Sequence, residues 1–540
     1  MERREVIKRT VFLAGGCTFY PSAIVFAGKD TIFNNVFSLR GAPGKHGEHA
    51  LLTGYYHAND GGGSAVFWDN ESTEGDDNGM VFKVDGVKKG RWKRPNANTI
   101  NVKWFGANGD GVFRTGTDND VHAFNNCMEW IRNHETKKVY VPAGLYILSH
   151  GIAKLNSAHN GLELFGDGRD SELRLHNEIT ASYSERLWML TWNRGAATGK
   201  PIKDIYIHDM KFNGNRQMHN ISMSESTGYG IHIVGEKELP RGEESFNVKI
   251  ENIFSCNHNT VGIQCGASNS VVKNVESWGN YMHGVSVGGS NNPINVTFIK
   301  FTCWQNEQYG INLSSGNGIK AINFLCCDNF AGAKASESLG SATLTNGKLV
   351  NNWTRGIQQT GKAADNYHFH LDGIVTENNP DGGARFDNGE KVTIGSLISI
   401  GDGHNKNNQG YGILINNDIK EFCADTIQIL NPGGDFGMRI FAEIATVNNL
   451  HIKDAKNGVQ GKDKGNTLTI NGGHLENING LCFRIRDNSN LKLSNIKLEG
   501  ETGISVNHSS VVDVNKCDFS KVTTNYTGGG IVNYQGINKM

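Results

Sequence analysis

Three acidic residues in this 540-residue chain, Glu377, Asp381 and Asp402, stand where carboxylates could act on a sugar. Hydrolysis of a glycosidic bond needs two carboxyl groups, one protonated to hand a proton to the leaving oxygen and one ionised to activate water or attack the ring. A separation of about 5 to 5.5 Å goes with retention and about 6.5 to 9.5 Å with inversion. Glu377 closes a β-rich stretch, Asp381 falls in the turn "NNPDGGARFD", and Asp402 shares the unusually long turn "IGDGHNKNNQGYG" with His404. Long turns are where a groove gains walls. The three form one candidate pool, with acid and base left undivided. Arg385, just past the first turn, could hold an acidic sugar or its hydroxyls. Trp278 and Trp304 offer indole faces for stacking on sugar rings. Each candidate has a structural rival: tryptophans also fill subunit interfaces, aspartates form glycine-rich turns, and a lone glutamate can simply be solvated.

These side chains are positioned by a repeat. A glycine followed by an apolar, a free and a second apolar residue recurs at 230, 262, 284, 310, 332, 356, 383, 412, 437, 458, 480 and 503. Such a period, held over half the chain, marks a solenoid. One residue past each glycine come Ile231, Ile263, Val285, Ile311, Ala333, Ile357, Ala384, Ile413, Met438, Val459, Leu481 and Ile504, which alternation places inward. The next residues form an outward polar row that includes His232, Gln264, Ser286, Asn312, Lys334, Gln358, Arg385, Arg439, Gln460 and Ser505, with Leu414 and Cys482 as its apolar members. Six residues before the glycines stand Trp278, Trp304, Cys326, Val350 and Glu377, also outward. At strand spacing Glu377 lies three rungs, ~14 Å, from Trp304, a run of about three sugars. Four before the glycine, Asn280, Asn306, Asp328, Asn352, Asn379, Asn408 and Asp454 suggest a stacked amide ladder, which removes Asp328 and Asp454 from the catalytic candidates.

Each repeat also holds an earlier strand-like stretch, such as "NVTFIKFTCW", so two or three strands per turn are expected. The fold class is all-β: a right-handed single-stranded parallel β-helix with a capping α-helix and a small N-terminal β module. The helix is expected over 118–134, with Asp118 as its cap and Val121, Phe124, Cys127, Met128 and Ile131 as its apolar stripe. The expected divisions are an export signal at 1–27, a β module at 28–100, the β-helix at 101–515 and a C-terminal end cap at 516–540.

Composition excludes other classes. Lysine and arginine number 53 against 54 acidic residues, so no basic face points to nucleic acid. No mature stretch is apolar for the ~20 residues a membrane helix needs, so no membrane span is expected. The nine cysteines after residue 27 have neither zinc-site spacing nor a disulfide pattern and read as small buried hydrophobes. No motif calls for a cofactor or a metal, and no convergent acid cluster calls for calcium. The opening "MERREVIKRTVFLAGGCTFYPSAIVFAGKD" has a basic head, an apolar middle and a small-residue end, the form of an export signal, and its arginine pair is similar to a twin-arginine pattern. A periplasmic or secreted protein is expected.

The segment "INVKWFGANGDGVFRTGTDNDVHAFNNCMEWI" followed by "KKVYVPAGLYIL" resembles the opening of the pectate-lyase-like superfamily as it occurs in phage tailspikes. The stretch from "LLTGYYHANDGGGSAVFWD" to "GRWKRP" is similar to the module that precedes it in many such proteins. Joined to an export signal, the pattern resembles the tailspike-like glycan-modifying proteins of exopolysaccharide operons of the stewartan and amylovoran type. That resemblance implies a homotrimer and slow cleavage of exopolysaccharide. "HGVSVG", 283 to 288, is similar to a polygalacturonase motif, but Val261 stands where those enzymes carry an aspartate, so His283 reads as a rung residue. The expected function is an exported endoglycosidase whose partner is an acidic bacterial exopolysaccharide. A polysaccharide lyase using His404, Tyr411 and Arg385, or a non-catalytic glycan-binding solenoid, are the alternatives.

Overall fold

A computed structural model describes residues 31–177, 188–192, 201–218, 228–234, 246–288, 292–360, 367–405, 410–461, 465–507 and 509–536. The segment read as an export signal lies outside the described residues, as does Asn408 of the expected ladder. The chain forms two compact units, one of 1–148 with 164–171 and one of 149–163 with 172–540.

In the first unit, five short strands pair in the order Thr31–Phe33, His49–Leu52, Ser64–Asp69, Arg91–Lys93, Val81–Lys83. Trp92, fully buried, meets Trp68 edge to face at 5.5 Å and Phe33 at 5.5 Å, forming the centre of a small core. The helix runs over Asp120–Asn133, and its cap is Asn119, whose side chain accepts from the Val121 amide at 2.7 Å. The cap thus falls one residue after Asp118. The expected stripe of Val121, Phe124, Cys127, Met128 and Ile131 is buried, and Phe124 meets Tyr146 of the strand Gly144–Leu148 edge to face at 5.5 Å.

The second unit is a parallel β-helix. One column of strands runs through Phe246–Cys256, Val271–Trp278, Thr297–Trp304, Ile319–Cys327 and Ser341–Val350, and a second through Ile263–Gly266, His283–Val287, Tyr309–Gly316, Ala331–Leu339 and Arg355–Gln359, each strand parallel to its counterpart one rung on. The ladder continues through Asp518–Gly528 and Ile531–Gln535. The inward residues named above are buried, apart from Leu481. Register slips by two residues at that rung: Val459 pairs with Phe483 and Gln460 with Arg484, which puts Phe483 inward, Arg484 in the polar row and Cys482 in the core. The polar row itself is not uniformly open, because Ser286 and Asn312 are buried.

The repeat glycine is there because an inward side chain of the preceding strand column fills the space a Cβ would take. A Cβ on Gly284 would lie 2.6 Å from the Cys303 Sγ, and one on Gly262 would lie 2.0 Å from the Ser277 Oγ. Glycine and the residue after it therefore both face the core, which breaks the strand alternation and turns the residue before the glycine outward.

Candidate functional site

The amide ladder forms the inner lining of the turn between the two strand columns. Asn280 donates from Nδ2 to Asn306 at 2.8 Å, Asn306 to Asn329 at 2.8 Å, Asn329 to Asn352 at 3.2 Å and Asn352 to Asn379 at 3.0 Å. The third member is Asn329, not Asp328, since that rung's turn is one residue shorter. The same slip makes Cys327 the outward residue and buries Cys326. Asp328, with φ 56°, instead joins a column of left-handed residues just before the ladder, beside Gln305, Asn351 and Asn378. Asp454 also adopts a left-handed φ of 55°.

Asp402 ends the ladder. Its Oδ1 accepts from the Asn379 amide and Nδ2, both at 2.8 Å, and its Oδ2 accepts from the Thr376 and Ser399 hydroxyls at 2.6 and 2.7 Å. The side chain is fully buried, and burial pushes its pKa up against those four hydrogen bonds. The structure thus places Asp402, expected in the carboxylate pool, in the interior and away from any sugar.

Glu377 and the tryptophans share one outward column, in which Trp278, Trp304, Cys327, Val350, Glu377 and Ile400 pair in succession. Glu377 therefore stands half-buried between two aliphatic side chains three rungs from Trp304, as the spacing suggested. The two indoles stack on one another, with centroids 4.8 Å apart and planes 3° apart, so each hides one face.

Asp381 and Arg385 come together with groups from two adjacent rungs. The Arg355 guanidinium lies 3.7 Å from the Asp381 carboxylate and donates from Nε to the Tyr411 hydroxyl at 3.1 Å. Arg385 donates from Nε to Asp387 at 2.7 Å, and Asn416 also donates to Asp387. Asn405 reaches Asp381 from the long turn at 3.3 Å, while His404 contacts the Asn431 carbonyl at 2.9 Å. Burial pushes the Tyr411 phenol above its ordinary pKa, outweighing the opposing pull of Arg355 and Arg385. Around the outside of this turn, Phe330 and Trp353 occupy successive rungs with 40% and 55% of their surface exposed. Their amides bond the Asn306 and Asn329 carbonyls one rung back, and the Asp381 amide bonds the Thr354 carbonyl.

Arg355, Asp387, Trp353 and Phe330 were not legible as site residues. Arg355 directly precedes a repeat glycine, where alternation counted from the glycine points inward. Trp353 and Phe330 directly follow ladder residues, a position visible only once the ladder is placed. Together this edge presents two guanidiniums, the Asp381 carboxylate and an open indole, with Asp387 and the buried Tyr411 phenol behind them, a set able to hold an anionic sugar and work on its linkage. Among the described residues, no three His, Cys, Asp or Glu side chains converge here as metal ligands would.

Residues 32–98 match the phage tail protein small four-stranded β-sheet domain family, and residues 99–334 match the family described as rhamnogalacturonase A/epimerase, pectate lyase-like. No curated protein matches the chain. Among solved structures, the enzymatically active domain of bacteriophage CBA120 tailspike protein 2 is similar at 16% identity and a TM-score of 0.51, over 84% of this chain and 60% of that one. This chain thus spans 60% of that domain's length. Pantoea stewartii WceF, described as a glycan biofilm modifying enzyme with a tailspike-like parallel β-helix fold, aligns at 14% identity and a TM-score of 0.38, over 68% of this chain and 47% of that one. The Azotobacter vinelandii mannuronan C-5 epimerase AlgE4 A-module aligns at 15% identity and a TM-score of 0.37, over 82% and 97%. The fold is a tailspike-like parallel β-helix with a pectate-lyase-like segment.

Proposed function

We propose that this protein is a glycoside hydrolase that cleaves an acidic bacterial exopolysaccharide internally, at the edge formed by Arg355, Asp381, Arg385 and Tyr411. The observation that carries this is the convergence of two guanidiniums on one phenol from three successive rungs, beside Asp381 and the open face of Trp353. Arginine forks suit a sugar carboxylate, and an indole suits the apolar face of a sugar ring. Glu377 and Asp381, at the two ends of one turn, form the carboxylate pair. Asp402 holds the turn's interior. An enzymatically active tailspike domain with this fold supports an enzymatic role for the chain. The proposal extends to a chain working outside the cytoplasm as a homotrimer, and light scattering on the purified chain tests the trimer.

One observation favours a second chemistry. Tyr411, held by Arg355 at 3.1 Å, sits where an eliminase would keep the base that removes a proton beside a neutralised uronate. The raised phenol pKa keeps that proton on at neutral pH, which ranks hydrolysis first.

The test is cleavage of an acidic exopolysaccharide by the wild type, E377Q, D381N and Y411F. Hydrolysis gives new reducing ends without ultraviolet absorbance from an unsaturated sugar, with E377Q and D381N each slowed about 10²-fold or more. Ultraviolet absorbance from unsaturated ends, lost in Y411F, would establish elimination instead. Full activity in both E377Q and D381N would overturn the assignment, and binding without cleavage would make the chain a glycan-binding solenoid.

A further inference from the structure

Away from that edge, on rungs near the C-terminal end, two histidines stack directly above one another. His451 and His474 are register partners on adjacent rungs, with imidazole planes 5° apart and centroids 5.8 Å apart. Two residues after His474, on the same face, comes Glu476. Its Oε2 lies 3.6 Å from the His451 Nε2 and 4.0 Å from the His474 Nδ1, and the three ligand atoms fall within 4.8 Å of one another.

Three features single this group out from an ordinary surface charge network. The His451 Nε2 is buried and has no partner within hydrogen-bond distance, Glu476 Oε2 standing just beyond it at 3.6 Å, so it faces the gap without closing it. The other ring nitrogen of His474 faces Glu499 Oε1 at 3.1 Å. The same Glu499 oxygen is paired with the Lys497 ammonium at 2.6 Å, and the carboxylate so placed accepts from the His474 proton on Nε2. That leaves the Nδ1 lone pair aimed at Glu476, the carboxylate–histidine arrangement that orients an imidazole toward a metal. Finally, tetrahedral ligands at zinc distances stand about 3.4 Å apart, so the His451–Glu476 edge at 3.6 Å already fits, the His474–Glu476 edge must close by about half an ångström, and the His451–His474 edge, within 4.8 Å, closes when one imidazole rotates out of its parallel plane so that both lone pairs meet one ion.

We propose that His451, His474 and Glu476 bind a divalent cation of the zinc type, zinc or cobalt(II), with solvent completing its coordination. Two imidazoles and one carboxylate favour such a borderline ion over calcium, which prefers six or more oxygens. The ion joins two rungs through their side chains. Its competitor is Lys453, which holds the other Glu476 oxygen at 2.8 Å and is exposed enough to swing away. Glu499 is a positioning residue that acts through His474.

The experiment uses the full chain, treated with a chelator and desalted, then titrated with zinc by calorimetry and with cobalt(II) by visible absorption. One ion per chain is expected, with the ligand-field bands of a four- or five-coordinate cobalt site. H451A and H474A each weaken binding at least tenfold, and E499Q weakens it about tenfold or more while keeping the cobalt spectrum. K453M, which frees Glu476, tightens binding several-fold, a result no loose surface histidine would give. Circular dichroism confirms that each variant is folded. Zinc affinity unchanged in the folded H451A/H474A double variant, or no site tighter than about 10⁻⁴ M in the wild type, would overturn the assignment.

Discussion

Replacing Asp402 with asparagine separates a structural carboxylate from a catalytic one. The substitution keeps an oxygen to accept both Asn379 bonds, now at 2.8 Å, and turns the other position into an amide facing the Thr376 and Ser399 hydroxyls. Hydroxyls accept as well as donate. The same chain already contains the outcome: Asn280 Nδ2 donates to Ser277 at 3.1 Å, three residues back as Ser399 is from Asp402, and Ser277 passes its own proton to the Gly284 carbonyl at 2.7 Å. D402N thus adds one more amide to the ladder and removes a buried charge, for a stability within about 1 kcal/mol of wild type. Asp402→Ala instead strands the Asn379 amide and one of its two Nδ2 protons in the interior, the other staying on the Leu349 carbonyl at 3.0 Å, at about 1 to 3 kcal/mol each, so a loss of about 4 kcal/mol is expected. The sign with pH follows from the raised carboxyl pKa. Above the ordinary carboxylate range the folded chain holds a proton that the unfolded chain has released, so the contribution of Asp402 to stability falls as pH rises through that window and is recovered as pH drops. D402N lacks that slope. Urea unfolding followed by circular dichroism, at several pH values, reads the stabilities, and exopolysaccharide cleavage reads function. A folded but inactive D402N, or a D402A as stable as wild type, would refute the ladder assignment.

Other consequences follow from the same geometry. His283 is buried, its Nε2 meets the Asn312 amide at 2.9 Å, and burial pushes its pKa down to about 3. Its contribution is complete above the unfolded value of about 6.5 and is lost as pH falls from there toward 3, by at most roughly 5 kcal/mol; His283→Phe should flatten this acid limb in urea titrations. Trp353→Ala should weaken oligosaccharide binding about tenfold in calorimetry, against a smaller change for Trp278→Ala, whose indole is half hidden by Trp304. Gly284→Ala drives a methyl to 2.6 Å from the Cys303 sulfur and 2.8 Å from the Gly310 carbonyl, and should cost about 1 to 3 kcal/mol in denaturant unfolding.

The glycine period made the β-helix readable, because an inward side chain of the preceding strand column leaves room for no Cβ at the same place on most rungs. Positions tied to a constant count from that glycine were readable too: Glu377 stands three rungs from Trp304 on the outward column. What failed was counting across turns of changing length. The long turn after Asp402 moved the expected ladder member to Asn408, although Asp402 occupies that place, and the short turn at Asp328 shifted both Asn329 and Cys327. Arg355 was hidden for another reason, since the inward glycine breaks the alternation on which facing was judged. A buried carboxylate in a glycine-rich turn and an exposed catalytic one look alike in sequence, and only the four donors around Asp402 tell them apart.

The most direct test of the proposed activity is a crystal structure of D381N bound to an acidic oligosaccharide cut from the exopolysaccharide. The proposal predicts sugar density along the turn edge, with a ring on Trp353, an acidic group between Arg355 and Arg385, and the scissile linkage beside Glu377 and residue 381. Oligosaccharide bound on another face, with this edge left bare, would contradict it.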